Sequence, residues 1–231
     1  MRPSARVPLR EALATREGKR RTTRRVFATI ADRYDLITVL LSGGLDRRWK
    51  RRLLALASPR PGERALDAAC GTGDIAFALA RRGARVVGLD VTARMLELAR
   101  RRGAGPVFVQ ADMLAIPAPA ETFDLVTTGY GLRNAPDLDE AIGEIRRVLR
   151  PGGRLVSLDF ARPRNGLVRR LYLGYLTVVG SALGLALHGD PDTYRYIPET
   201  LRRFPGPREV AARLEAAGFV DVEYIPVLGG L

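Results

Sequence analysis

The feature that most limits what this chain can fold into is a regular alternation of short apolar runs and helical stretches. It opens at Leu66-Asp67-Ala68-Ala69-Cys70-Gly71-Thr72-Gly73-Asp74. Strand-like runs stand at 64–69, 85–89, 106–110, 123–128 and 154–159, with helical stretches at 73–82, 93–102 and 138–149. Runs too apolar for one wet face need cover on both sides. The pattern therefore predicts an α/β fold with a doubly wound, mostly parallel sheet. Helical periodicity over 25–57, broken at Ser42-Gly43-Gly44, predicts an N-terminal helical layer. Residues 160–206 interrupt the alternation as an apolar, helical insert. A helix over 207–217, a sixth strand over 220–224 and a seventh beginning near 226–228 are expected after it. No internal repeat stands out.

Composition bears on the partners. Of the formal charge of +13, residues 1–25 carry +7, from nine Arg or Lys against two acids. The expectation is a flexible basic tail over 1–20 and one domain over 21–231. Such a tail serves solubility, an anionic membrane surface or nucleic acid. No aromatic residue is interleaved before Phe27, so no base-stacking platform is indicated and nucleic acid is not expected. The single cysteine, Cys70, excludes an intrachain disulfide and suits a reducing cytoplasm. The run Leu171–Leu187 has no charged residue, but its 17 residues fall short of the roughly 20 of a spanning helix. It is read as a buried or surface-seeking helix.

The loop itself carries the chemistry. Gly71, Thr72 and Gly73 allow a tight turn and close approach of a ligand to the backbone. Gly71-Thr72-Gly73-Asp74-Ile75-Ala76 also satisfies the dinucleotide pattern G-x-G-x-x-G/A, a weak match when alone. Asp67 suits a sulfonium and an ammonium better than a pyrophosphate, and Asp74 at the helix start would repel a pyrophosphate. Both favour S-adenosyl-L-methionine over a nicotinamide cofactor. Asp90, ending the second strand, can accept from two ribose hydroxyls, and Asp112, beside Ala111, can accept from an adenine amino group. A turn acid is the plain alternative for Asp112. No metal-ligand set is identified.

With those residues in place, Leu66–Asp74, Asp90, Asp112, Phe123-Asp124-Leu125-Val126 and Arg147–Gly153 resemble the motifs of class I (Rossmann-like) S-adenosylmethionine methyltransferases. A narrower resemblance covers roughly residues 24–229. The stretches 26–35 and 42–50, Gly131-Leu132-Arg133-Asn134, 158–163 and 194–205 are similar to the ubiquinone/menaquinone biosynthesis C-methyltransferases. There are departures. Thr38 stands where that family usually has Asn, and Asp46 where it usually has His. Gly129 stands where some members have a cofactor-touching Ser, and a final strand with Ala-Ile-His is not found before Leu231.

The resemblance implies methylation of a prenylated quinol ring carbon, with demethylmenaquinol favoured and a benzoquinol open. It implies that Arg133 stabilises a quinolate oxygen, that Asn134 orients the hydroxyl or a proton-accepting water, and that Tyr34, Tyr194 and Tyr196 wall the ring. Asn134-Ala135-Pro136 is also good turn chemistry, and buried tyrosines are often plain core. Asp35 either reaches the cofactor or caps a helix, and His188, the only histidine, is not singled out by the motif. The expected partners are the quinol and peripherally an anionic membrane, with a homodimer and membrane association of a cytoplasmic protein left open. A different small-molecule or lipid acceptor, a non-enzymatic cofactor-fold binding protein, an NAD-dependent oxidoreductase and an RNA methyltransferase are the competing readings.

Overall fold

The computed structural model describes residues 8–163 and 165–227. Five strands form one all-parallel sheet: β1 Arg64–Ala68, β2 Arg85–Asp90, β3 Val107–Gln110, β4 Phe123–Gly129 and β5 Leu149–Leu158. Their order is β3-β2-β1-β4-β5. The chain winds outward from β1 to β3, then returns to lay β4 on the other side of β1. That reversal opens a crevice at the carboxyl ends of the strands, where open α/β sheets bind ligands.

Three crossover helices cover the sheet: α5 Asp74–Ala80, α6 Ala93–Arg101 and α7 Leu138–Val148. One core layer packs Phe77, Leu79, Leu96 and Phe108 against Leu53 and Leu54 of α4, Asp46–Ala57. The opposite layer packs Ile145 and Val148 of α7 against Leu66, Val126 and Leu149. Burial on both faces is the reason these strands read as continuous apolar runs.

A third apolar cluster roofs the crevice. It joins Val26 and Ile30 of α2, Arg16–Ile30, and Ile37 of α3, Tyr34–Leu41, to Tyr194 and Tyr196 of α9, Asp192–Arg203. Here the expectation of a flexible tail over 1–20 is corrected. A short helix α1, Leu9–Ala12, precedes α2, and Thr15 caps α2 by accepting from the Gly18 N–H. Leu13, Val26 and Ile30 bury in the apolar cluster, and basic side chains of the segment pair with acids on the domain. Arg10 pairs with Glu199, Arg16 with Glu140, and Arg20 with Asp112. Residues 1–7 of the expected tail lie outside the described residues.

The insert is two helices, α8 Gly166–His188 and α9. Gly180 and Gly184 of α8 press directly on Tyr194 and on the Asp190-Pro191 backbone, so neither has room for a Cβ without a shift. The chain ends with α10, Pro207–Ala216. The expected sixth strand is a second correction: residues 220–224 pair with no strand among the described residues. The alternation Val220-Asp221-Val222-Glu223-Tyr224 looks strand-like, but it has no face to bury; Val220 is 82% exposed. The expected start of a seventh strand is irregular at 226–227, and Leu228 lies outside the described residues.

Candidate active site

Two adjoining cavities lie at the strand ends, partly open to solvent, of about 700 Å³ and about 740 Å³. The first is built from residues at or just past the carboxyl ends of β1 to β4: Ala69 and Gly71, Asp90 to Thr92, Ala111 to Met113, and Gly129 to Gly131. The structure thus brings Gly71, Asp90, Ala111, Asp112 and Gly129 together on one wall. Asp67, Thr72 and Gly73 are not on that wall.

Each of those three has a local reason. Asp67 is 1% exposed, accepting from the Thr127 hydroxyl at 2.9 Å while its second oxygen has no partner. Burial pushes its carboxyl up to about 7. Thr72 turns away and donates to Asp35 at 2.8 Å, so Asp35 holds the loop. Gly73 has φ +86°, and a Cβ there would sit 3.0 Å from the Phe108 ring. The loop chemistry is therefore split. Gly71 and Asp90 line the first cavity, while Asp67, Thr72 and Gly73 do not and hold the turn beside it.

Asp90 is well prepared as an acceptor. Its two oxygens take the N–H groups of Gly71 at 2.9 Å and Thr92 at 2.8 Å. A carboxylate oxygen has a second lone pair, so both remain able to accept from a diol. Burial raises its pKa, and those two N–H donors work against the rise. Gly129 gives a flat floor, since a Cβ there would come 2.7 Å from Ile75 Cδ1. Asp112 accepts from Leu114 N–H with one oxygen and from Arg20 with the other, at 2.6 Å. Asp74 occupies the start of α5 and pairs with Lys50 at 2.9 Å and Arg102 at 2.6 Å. A dinucleotide pyrophosphate would meet that acid, whereas an adenosine with a cationic sulfonium fits an acid-lined wall.

The second cavity is walled by Val26, Ile37, Leu41, Phe160, Tyr172, Leu176, Tyr194 and Tyr196, with Arg133 and Asn134 as its polar corner. It shares Phe27, Tyr34, Tyr130 and Asn134 with the first. Arg133 is 4% exposed. Its Nε donates to Asp159 at 3.2 Å, its backbone N–H donates to the same carboxylate at 3.0 Å, and Nη1 donates to Thr200. Its guanidinium also lies 5.9 Å from the Phe160 ring centre. The cation is thus fixed in place. Burial raises the Asp159 pKa and Arg133 opposes the rise.

Asn134 is oriented at both ends. Its Nδ2 donates to the Tyr130 carbonyl at 2.7 Å, and its Oδ1 accepts from the Tyr196 hydroxyl at 2.9 Å. Thr23 of α2 lies 2.7 Å from the same hydroxyl. Burial pushes Tyr196 up to about 12, so it is a hydrogen-bond donor at neutral pH and not a base. Tyr34, Tyr194 and Tyr196, read from sequence as ring walls, all line this cavity. His188 does not; its Nε2 is 2.9 Å from the Tyr194 hydroxyl.

Sequence reasoning missed the roof. Arg20, Thr23, Arg24 and Phe27 of α2 all line the first cavity. Their i, i+3, i+4, i+7 spacing marks one helix face. Only Arg20 falls in the segment read as a flexible tail; Thr23 and Arg24 lie between that tail and the helical stretch read from residue 25. Tyr130 and Asp159 were also missed. Each comes directly after a strand, and their importance derives from partners distant in the chain.

The fold, with its crevice at a β1/β4 reversal and its acids at successive strand ends, defines an S-adenosylmethionine-dependent methyltransferase. An S-adenosylmethionine-dependent methyltransferase from Thermotoga maritima shares the fold, with a TM-score of 0.63 over 86% of this chain and 82% of that one, at 21% identity. The model of the ubiE/COQ5 methyltransferase family matches residues 15–231, and the chain belongs to that family. A demethylmenaquinone methyltransferase from Thermus thermophilus is 46% identical over 200 residues, covering 84% of this chain and 91% of its own. A ubiquinone/menaquinone biosynthesis C-methyltransferase from Cellvibrio japonicus is 36% identical over 224 residues, covering 93% and 90%.

Proposed function

We propose that the first cavity holds S-adenosylmethionine, and that the second receives a prenylated quinol, 2-demethylmenaquinol, for methylation at a ring carbon. The observation that carries this reading is the shared wall. Phe27, Tyr34, Tyr130 and Asn134 belong to both cavities, so a donor and a flat acceptor meet there. The name of the Thermus relative supports the naphthoquinol. Gly71, Asp90, Ala111, Asp112 and Gly129 would hold the cofactor, with Arg20 yielding Asp112 to the adenine amino group.

Bound S-adenosylmethionine supplies a methyl group on a positively charged sulfur. The protein must make the ring carbon nucleophilic and place it in line. Loss of the neighbouring hydroxyl proton pushes electron density into the ring, and the buried Arg133 cation stabilises the oxygen that becomes charged. Asn134, locked by Tyr130 and Tyr196, orients the hydroxyl or the water that takes its proton. The new C–CH₃ bond forms as the S–CH₃ bond breaks, and the same ring carbon then loses its hydrogen as a proton.

The prenyl tail needs an apolar exit. Ile37 and Leu41 of α3 and Tyr172 and Leu176 of α8 line the acceptor cavity. The outer surface of these helices is apolar and exposed: Leu36, Leu40, Leu171, Tyr175, Val178 and Leu185. α8 is 23 residues long, apolar enough to span a membrane by composition, and only 17% buried over its most apolar window. It lies on a bilayer surface in this reading, with Arg169 and Arg170 near its N-terminal end meeting anionic headgroups. The enzyme works from the cytoplasm on a substrate whose tail stays in the membrane.

Labelled methyl donor with an equal mixture of reduced demethylmenaquinone and a demethylated benzoquinol tests the acceptor. Label entering the naphthoquinol preferentially is expected; label in the benzoquinol alone would replace it. Flotation with anionic vesicles tests the membrane contact. Binding should weaken with salt and with Val178→Glu, and binding unchanged by both would remove it.

A further inference from the structure

Tyr130 lines both cavities and was singled out by no motif. Its φ is +62°, a backbone conformation that side chains other than glycine's rarely hold. Such a conformation persists where the surroundings over-determine it. The surroundings of Tyr130 do so at four points. Its N–H donates to Leu158 O at 2.6 Å, and its carbonyl accepts from Asn134. Its ring stacks on Phe160 with centroids 4.8 Å apart and planes at 15°. Its hydroxyl donates to Asp46 Oδ1 at 2.9 Å.

Asp46 is the residue at which the sequence departs from the family's usual His. It is 3% exposed, so this carboxylate is a committed acceptor and not a solvated one. Its other oxygen pairs with Lys50 Nζ at 2.8 Å, and Lys50 also reaches Asp74 at 2.9 Å. Asp74 follows Gly73 directly and pairs with Arg102, which donates to the Thr72 carbonyl at 3.0 Å. Burial alone would lower the Lys50 pKa, but Asp74 and Asp46 outweigh it and raise it, so the lysine stays charged. A continuous polar chain thus runs from the cofactor loop, through α4, to the wall that both ligands touch.

We infer that Tyr130 is a positioning residue, anchored by Asp46, and that the chain Asp46–Lys50–Asp74 couples the set of the cofactor loop to the alignment of the acceptor ring. Methyl transfer depends on this because the reacting atoms must approach to about 3–3.5 Å in line, and small misplacements cost rate even where the acceptor still binds. The inference rests on the assignment of the two cavities to donor and acceptor. A His at 46 would not present the same carboxylate to both Tyr130 and Lys50.

The test is a double-mutant cycle with Tyr130→Phe, Asp46→Asn and the pair, read in two ways. Calorimetric S-adenosylmethionine binding reads the coupling whatever the acceptor is. Each single substitution is expected to weaken binding about three- to fivefold, and the double to weaken it no further. In turnover with reduced demethylmenaquinone, each single is expected to lower kcat about tenfold with the quinol KM within twofold, and Tm is expected to stay close to wild type for Tyr130→Phe. Additive or absent effects on cofactor binding would overturn the inference, as would wild-type kcat in Tyr130→Phe. A wild-type protein that binds the cofactor but does not methylate demethylmenaquinol would count against that acceptor alone, and the binding cycle would still decide the inference.

Discussion

At the scale of single residues, Arg133, the cation of the proposed mechanism, and Asp159 form a buried pair on which stability also depends. The side chains are 4% and 8% exposed, and the acid is the partner that makes a buried cation tolerable. Removing one member of such a pair costs about 3–5 kcal/mol. Asp159→Ala should therefore lower unfolding free energy by about that amount in a denaturant titration; a loss under about 1 kcal/mol would mean the cation is hydrated instead. Asp67 gives a pH signature. Its carboxyl is raised to about 7, so its contribution is full below its unfolded value and is lost as pH rises through 7. An amide mimics the protonated acid, so the Tm of Asp67→Asn relative to wild type should climb between pH 4 and 7; a flat difference would contradict the burial argument. Asp90 and Asp112 could be proposed from their places at the ends of the second and third strand runs, and Gly129 only from the family resemblance. Tyr130 was not legible, because its value comes from Asp46, 84 positions away.

At the scale of elements, α8 separates two kinds of surface. Gly180 and Gly184 are seated against α9 with no spare space. Gly180→Leu should cost about 1–3 kcal/mol by overpacking, visible as a fall in Tm. Val178 is 71% exposed, so Val178→Glu should leave Tm unchanged while reducing vesicle flotation. A Tm drop for Val178→Glu would place that face in a protein contact. The sequence showed that this segment is apolar and helical, but not which side it presents, because its glycines and leucines do not fall into one stripe. α2 was hidden for another reason. Its Arg16 and Arg20 pair with Glu140 and Asp112, which lie far along the chain, and no local pattern announces such pairs.

At the scale of the molecule, the sheet was legible in its strands and parallel sense, since alternation with helices admits little else. The missing sixth strand shows the limit of alternation: a strand needs a partner edge and a face to bury, and Val220 has neither among the described residues. Part of the basic N-terminal segment is held in ion pairs that tie the roof to the domain, Arg10 to Glu199, Arg16 to Glu140 and Arg20 to Asp112. In the proposed function, this roofed pair of cavities joins a sulfonium methyl to a quinol ring carbon beside Arg133. Purified protein with labelled S-adenosylmethionine and reduced demethylmenaquinone measures it most directly, with Arg133→Ala alongside. Wild type should place the label on the ring carbon, and Arg133→Ala should lower kcat about 10²–10³-fold while still binding the cofactor. Wild-type protein that binds S-adenosylmethionine yet leaves the naphthoquinol unlabelled, or an Arg133→Ala variant with undiminished kcat, would contradict it.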